Sequence, residues 1–263
     1  FKLIMLTPFS SHATVKYIVC PVTGLNHIDT VACEENGVNI ISLKGEFEFL
    51  KEVRATAEHT ILLTMALLRK LVPAVESTIS GSWNRDPYKG NEIFKKTVGI
   101  IGFGRLGKIV SDYFEALGAN ILIYEKNPNT ELLNSLKLVD LETLLKQSDI
   151  VSLHINFIPE NIEFISAGHF SLMKPSAVFI NTSRGQLVDS QALKNALING
   201  EISGAALDVI FDEFDLLNSP ELEFLTSNKP ANLIITPHIG GNTWESFDKT
   251  EKFIYNKLIK AIN

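Results

Sequence analysis

Short β-branched runs that break into glycine or polar residues alternate, through most of this chain, with segments whose apolar positions recur at helical spacing. The pattern is sharpest from Thr97 to Gly107, T-V-G-I-I-G-F-G-R-L-G. Val98, Ile100 and Ile101 have the length and branching of a buried strand, and the run breaks at Gly102, Gly104 and Gly107 as an amphipathic segment, Leu106 to Leu117, begins. A second strand, Ala119 to Tyr124, follows. Strands recur at Ile150 to Leu153, Ala177 to Ile180, Ala205 to Val209 and Leu233 to Ile235, with helical segments at Leu141 to Gln147, His169 to Met173 and Ser190 to Leu197. Short apolar strands alternating with helices predict an α/β fold with a parallel sheet covered on both faces. Right-handed crossovers make that sheet doubly wound, with ligands outside the carboxyl ends of its strands.

The flanks are patterned differently. Val15 to Val19 reads as a strand, Pro21 to Gly24 as a turn, Ile28 to Ala32 as a short helix and Val38 to Ile41 as another strand. A helix is predicted from Arg54 to about Lys70, with Pro73 marking where it kinks or stops. Its apolar residues, Ile61 to Leu68, cover more than one face, which predicts burial between two bodies, either domains or subunits. Ser80 to Pro87 is a polar, turn-rich connection, and Thr243 to Ile262 is an amphipathic helix.

Composition narrows the classes. The 263 residues are 45% hydrophobic and 21% charged, a globular balance without low-complexity segments. A net charge of −6 and the lack of a basic stripe argue against nucleic acid as a partner. The most apolar stretch, Thr60 to Leu71, is shorter than a bilayer span, so no membrane partner is expected. Cys20 and Cys33 are too few for a disulfide framework and lack metal-ligand spacing, which points to a reducing, cytoplasmic compartment and two buried thiols. No paired His/Cys spacing suggests a metal. The first residues carry neither an initiator Met nor a signal-peptide n-region and read as the start of a fragment or as an incompletely ordered start.

The glycines suggest chemistry. Gly102 permits a tight turn, Gly104 lets the backbone approach a pyrophosphate, and Gly107 lets the helix pack against the strand. Phosphate charge would then sit over unpaired N–H groups at the positive end of the helix dipole. Glu125 ends the next strand roughly twenty residues after Gly107, where a ribose hydroxyl needs a carboxylate acceptor. Arg105 and Leu106 lie inside this fingerprint and belong to the same candidate cofactor site. The later strand ends carry titratable groups: Asn181-Thr182-Ser183-Arg184-Gly185 after Ile180, Asp208 and then Glu213 after Leu207, and Thr236-Pro237-His238 after Ile235. In a doubly wound sheet these ends converge on one crevice, placing an arginine, a carboxylate and a histidine beside a nicotinamide. Keto-acid reduction uses those three types: a guanidinium grips a carboxylate, a histidine protonates the carbonyl oxygen, and a carboxylate keeps the imidazole protonated. His154 closes a strand and is expected either to face the cofactor or to support a residue that does; the remaining histidines, His59 among them, read as structural or exposed. Arg54, Trp83, Asn84 and Arg85 read either as pocket lining or as an exposed linker and helix start.

With these motifs in order, the chain resembles the D-isomer-specific 2-hydroxyacid dehydrogenase family. The likeness rests on Thr23 to Asp29 (T-G-L-N-H-I-D), Ala57 to Thr60 (A-E-H-T), Gly102 to Gly107, Asn181 to Asp189 (N-T-S-R-G-Q-L-V-D), Leu207 to Val209 with Glu213, and Thr236 to Gly241 (T-P-H-I-G-G). The resemblance implies a Rossmann NAD-binding domain, residues 54–241, and a smaller, discontinuous flavodoxin-like substrate domain, residues 1–53 plus 242–263, whose part before Thr23 is about half the family's usual length. It further implies Arg184 as the clamp on the substrate carboxylate, His238 with Glu213 as the proton-donating pair, and Asp208 near the nicotinamide amide. The backbone at Thr23 and Gly24 becomes a carboxylate-binding loop, and Thr182, His154 and His238 join the cofactor side. The implied activity is NAD-dependent interconversion of a 2-keto acid and a D-2-hydroxy acid by a homodimer paired through the nucleotide domain. The alternative is an NAD(H)-sensing binding protein of the corepressor type. Asn156 and Phe214 stand where the family commonly has proline.

Overall fold

A computed structural model describes residues 15–25, 27–128, 138–213, 215–216, 219–227 and 232–263. Asn26 and Phe214 lie outside the described residues. The chain divides into two compact units, Thr56–Gly240 and a smaller one formed by Phe1–Ala55 with Gly241–Asn263.

In the smaller unit, strands β1 (Tyr17–Cys20) and β2 (Asn39–Ser42) pair in parallel, Tyr17 opposite Asn39. Helix α1 (Thr30–Glu35) connects them, starting two residues later than the sequence predicted because Asp29 caps it, accepting from the Ala32 N–H at 2.9 Å. Helices α2 (Phe47–Leu50) and α10 (Trp244–Ile262) complete the unit. Phe49 and Phe253 stack at 3.9 Å, Ile254 is buried with Leu43 and Leu50, and Lys257 pairs with Glu46 at 2.6 Å. Cys20 and Cys33 are both buried free thiols.

The larger unit opens with α3 (Ala55–Leu68) and α4 (Leu71–Ile79). The helix predicted from Arg54 to about Lys70 is α3, and α4 is a second helix that the sequence reading did not predict. Lys70 adopts φ 51°, a left-handed turn that ends the first helix, and Pro73 sits in the first turn of the second, where its missing N–H costs nothing. Then come β3 (Thr97–Ile101), α5 (Arg105–Ala116), β4 (Asn120–Tyr124), α6 (Leu141–Gln147), β5 (Ile150–Leu153), α7 (Ala167–Phe170), β6 (Val178–Asn181), α8 (Ser190–Asn199), β7 (Gly204–Leu207), α9 (Pro220–Thr226) and β8 (Leu233–Ile235).

All six strands are parallel, in the order β4-β3-β5-β6-β7-β8. A parallel bridge from Leu138 to Ile123 extends the β4 edge. The strand order reverses between β3 and β5, which makes that boundary the switch point of a doubly wound sheet. Alternate residues feed two cores. Val98, Ile100, Ile150, Ile180 and Ala206 pack with Leu63 and Leu67 of α3 and Val110 and Phe114 of α5. Ile101, Val151, Leu153, Phe179 and Leu207 pack with Leu144, Phe170 and Leu193 on the opposite face. Both faces are buried, as continuous apolar strands require.

Candidate active site

The turn after β3 shows what each fingerprint glycine does. Gly102 adopts φ 91°, and a Cβ there would meet the His154 carbonyl at 2.8 Å. At Gly107 a Cβ would fall 2.0 Å from the Gly102 carbonyl oxygen, so α5 lies too close to the turn for any side chain. At Gly104 a Cβ would meet nothing within 4 Å, and no side chain caps the helix that starts there. An open backbone over uncapped N–H groups at the end of a twelve-residue helix fits a pyrophosphate. Glu125, at the end of β4, is fixed to the same turn: Oε2 accepts from the Phe103 N–H at 2.8 Å and Oε1 from the Asn127 N–H at 3.1 Å.

His154, at the end of β5, shares a hydrogen bond between Nε2 and the Ser152 hydroxyl at 2.8 Å, while its Nδ1 is buried and meets no hydrogen-bond partner. Burial pushes its pKa down to about 4, so the ring is neutral near pH 7. At the end of β6, Asn181 shapes the next turn, accepting from the Ser183 N–H at 2.9 Å and donating to the Arg184 carbonyl at 3.0 Å. Thr182 is buried and its hydroxyl lies 2.8 Å from that of Thr60 on α3. Arg184 donates from Nη1 to the Ser183 carbonyl at 2.6 Å. Burial draws its pKa down and the charge of Glu213 pushes it back up. A Cβ on Gly185 would lie 1.8 Å from the Ile210 carbonyl oxygen, so the β6 and β7 turns touch through their backbones.

Two acid–base pairs close the site. His238 Nδ1 lies 2.8 Å from Glu213 Oε2, both side chains being about one third exposed. Asp208 is almost fully buried: Oδ1 accepts from the Thr236 hydroxyl at 2.6 Å and the Ile239 N–H at 2.9 Å, and Oδ2 from the Gly240 N–H at 2.7 Å. Burial alone would raise its pKa, but His59, Thr236 and these amides outweigh it and hold the carboxyl below its ordinary value.

The residues expected at the strand ends thus gather on one edge of the larger unit: Arg184 within the electrostatic reach of Glu213, Glu213 against His238, and Asp208 under the His238 segment. Thr23, exposed, and Gly24 belong to the smaller unit, in the turn that follows β1. Trp83, Asn84 and Arg85 are exposed. Sequence reasoning passed over His59, whose Nε2 lies 3.0 Å from the Thr236 hydroxyl and 3.3 Å from Asp208 Oδ1. Its signal was the A-E-H-T start of α3 with threonines facing the sheet, which becomes informative only once α3 is known to cross the ends of β6 and β8. Among the described residues, no group of three His, Cys, Asp or Glu side chains forms a metal cage, and no helix is long and apolar enough to cross a membrane.

Residues 61–240 match the family model for the D-isomer specific 2-hydroxyacid dehydrogenase, NAD binding domain. The chain is 34% identical to glycerate dehydrogenase of Methylorubrum extorquens over 257 residues, covering 92% of this chain and 77% of that protein. It is 35% identical to D-3-phosphoglycerate dehydrogenase of Synechocystis sp. over 226 residues, 85% of this chain but 38% of that longer protein. The structure of D-lactate dehydrogenase from Aquifex aeolicus complexed with NAD and lactic acid superposes with a TM-score of 0.80 at 31% identity, covering 94% of this chain and 76% of that one.

Proposed function

The chain belongs to the D-isomer-specific 2-hydroxyacid dehydrogenase family, and from that premise we propose that it interconverts a small 2-keto acid and the D-2-hydroxy acid, with His238 and Glu213 as the proton-donating pair and Arg184 as the carboxylate clamp. Family membership makes it a hydride-transferring oxidoreductase with NAD as cofactor. The 2.8 Å contact between His238 and Glu213, on the edge of the sheet that carries the fingerprint turn, is the observation that carries the reading.

When bound, NAD(H) supplies or takes up a hydride at its nicotinamide. Gly102, Gly104, Arg105, Leu106 and Gly107 would hold its pyrophosphate, Glu125 its adenosine ribose, and His154, Thr182 and Asp208 its nicotinamide end. The Glu213 carboxylate accepts a hydrogen bond from His238 Nδ1–H, which fixes the tautomer and leaves Nε2 as the nitrogen that exchanges a proton with the substrate oxygen. Arg184, a permanent cation whose backbone is fixed by Asn181, offers a planar fork to a carboxylate and so orients the adjacent carbonyl. Thr23 and Gly24, with the rest of residues 1–53 and 242–263, form the substrate-domain portion of this reading, and residues 54–241 its cofactor portion.

A homodimer is the assembly we infer. Leu62 and Met65 on α3 and Leu71, Val72, Val75 and Ile79 on α4 are exposed apolar side chains of the kind that a partner covers.

The decisive measurement is loss of NADH absorbance against a panel of 2-keto acids, for the wild-type chain and for the H238N and R184Q variants. Each variant is expected to lose at least about a hundredfold in kcat/KM. NADH binding, followed by fluorescence, is expected to stay within about threefold for R184Q. Turnover retained in H238N would sink the assignment, and NADH binding without turnover in the wild type would favour the sensor.

A further inference from the structure

His238 is held in a backbone conformation that a histidine rarely adopts. Its φ is 54°, in the left-handed region, a strained conformation that neighbouring contacts must hold. Those contacts converge on one residue. The His238 N–H donates to the Asp208 carbonyl at 2.9 Å, the Ile239 N–H to Oδ1 at 2.9 Å and the Gly240 N–H to Oδ2 at 2.7 Å. A Cβ on Gly240 would lie 2.8 Å from Oδ2, so the last of these bonds depends on the glycine. Three successive amides are stapled to Asp208, and the imidazole they carry meets Glu213.

The staple has a further member. Thr236 Oγ1 lies 2.6 Å from Asp208 Oδ1, and an ionised carboxylate only accepts, so the single hydroxyl proton of Thr236 is committed to Asp208. The hydroxyl oxygen is then an acceptor toward His59 Nε2, 3.0 Å away, which must carry a proton. The same Nε2–H also faces Asp208 Oδ1 at 3.3 Å. His59 is about 10% exposed and comes from α3, whose next residue, Thr60, is tied to Thr182 at 2.8 Å. One turn of α3 is therefore hydrogen-bonded to two of the strand ends that build the site.

We propose that His59 is a positioning residue for His238: through Thr236 it completes the donor set around the Asp208 carboxylate, and Asp208 fixes the left-handed segment that holds the imidazole against Glu213. The proposal rests on the reading of His238 as proton donor. It gives Asp208 a second duty beside its placement near the nicotinamide, because four donors already surround its two oxygens.

The test compares H59L, which removes the donor, with H59Q, which supplies a side-chain N–H that does not titrate. In H59L, kcat is expected to fall by about tenfold or more while the KM for NADH stays within about twofold, because a misdirected imidazole costs turnover rather than cofactor binding. Hydrogen exchange on the cofactor-free protein should show the Ile239 and Gly240 amides exchanging about tenfold faster, with amides of β3 and β5 unchanged. H59Q is expected to restore both measurements to within about threefold of wild type. Unchanged exchange at Ile239 and Gly240 in H59L, an equal loss in H59Q and H59L, or faster exchange throughout the unit would overturn the proposal. A wild-type chain that turns over no keto acid would defeat the donor reading instead, while the exchange comparison still reports whether His59 holds the segment.

Discussion

A neutral histidine with a desolvated ring nitrogen couples stability to pH, and His154, half-buried with its Nδ1 fully buried, is such a group. Burial sets its folded pKa to about 4, against an ordinary value of 6.5, so the unfolded chain binds the proton more tightly. The folded state keeps its full stability above pH 6.5 and loses it progressively as pH falls toward 4, below which the penalty is constant. Between pH 7 and pH 5 the loss from this residue is about 2 kcal/mol. Urea unfolding at the two pH values should show that difference in the wild type and its absence in H154Q; equal pH dependence in both would remove His154 as the source. At this scale the sequence was legible where a residue's chemistry and its strand-end position coincide, as for Arg184, Asp208 and His238. It was silent on His59, because nothing local distinguishes a histidine that faces solvent from one that faces a carboxylate folded back from Asp208, far along the chain.

Helix α5 and the turn that feeds it show what a sequence pattern specifies at the level of an element. The three glycines are required for different reasons. Gly107→Ala places a methyl group 2.0 Å from the Gly102 carbonyl oxygen and must push α5 off the sheet, with an expected loss of about 2–4 kcal/mol. Gly104→Ala meets nothing within 4 Å in the protein itself, so the melting temperature should hold while NADH affinity falls by about tenfold or more. Calorimetry paired with NADH titration separates the two, and a G104A chain that bound NADH normally would remove the pyrophosphate from that turn. The strands of the larger unit were readable to within about two residues, because buried β-branched runs have few alternatives. The end of α3 near Lys70 was also legible, but α4 went unread, since Pro73 fits the first turn of a new helix as well as the end of an old one. Helices α2 and α9 went unread, although Ser219 and Pro220 form a start signal at the beginning of α9.

For the molecule as a whole, the exposed apolar side chains of α3 and α4 are what the proposed homodimer would cover. Val75 is 48% exposed, so Val75→Glu should leave the fold intact while placing a charge on the surface proposed to pair. Sedimentation velocity is expected to show the wild type as a dimer and V75E as a monomer, and an unchanged sedimentation coefficient would move the interface elsewhere. Such a charge opposes association because an unpaired carboxylate would have to leave water. The sequence by itself determined the doubly wound parallel sheet, the glycine turn and the titratable groups at its strand ends, since each follows from short-range rules of periodicity, sterics and chain direction. Only the tertiary structure gave the His238–Glu213 pair its 2.8 Å geometry, and it alone decided that Asp208 holds the segment carrying that histidine and that His59 reaches both Thr236 and Asp208. Those pairings join residues far apart in the chain, and a hydrogen bond depends on tenths of an ångström that no one-dimensional pattern encodes.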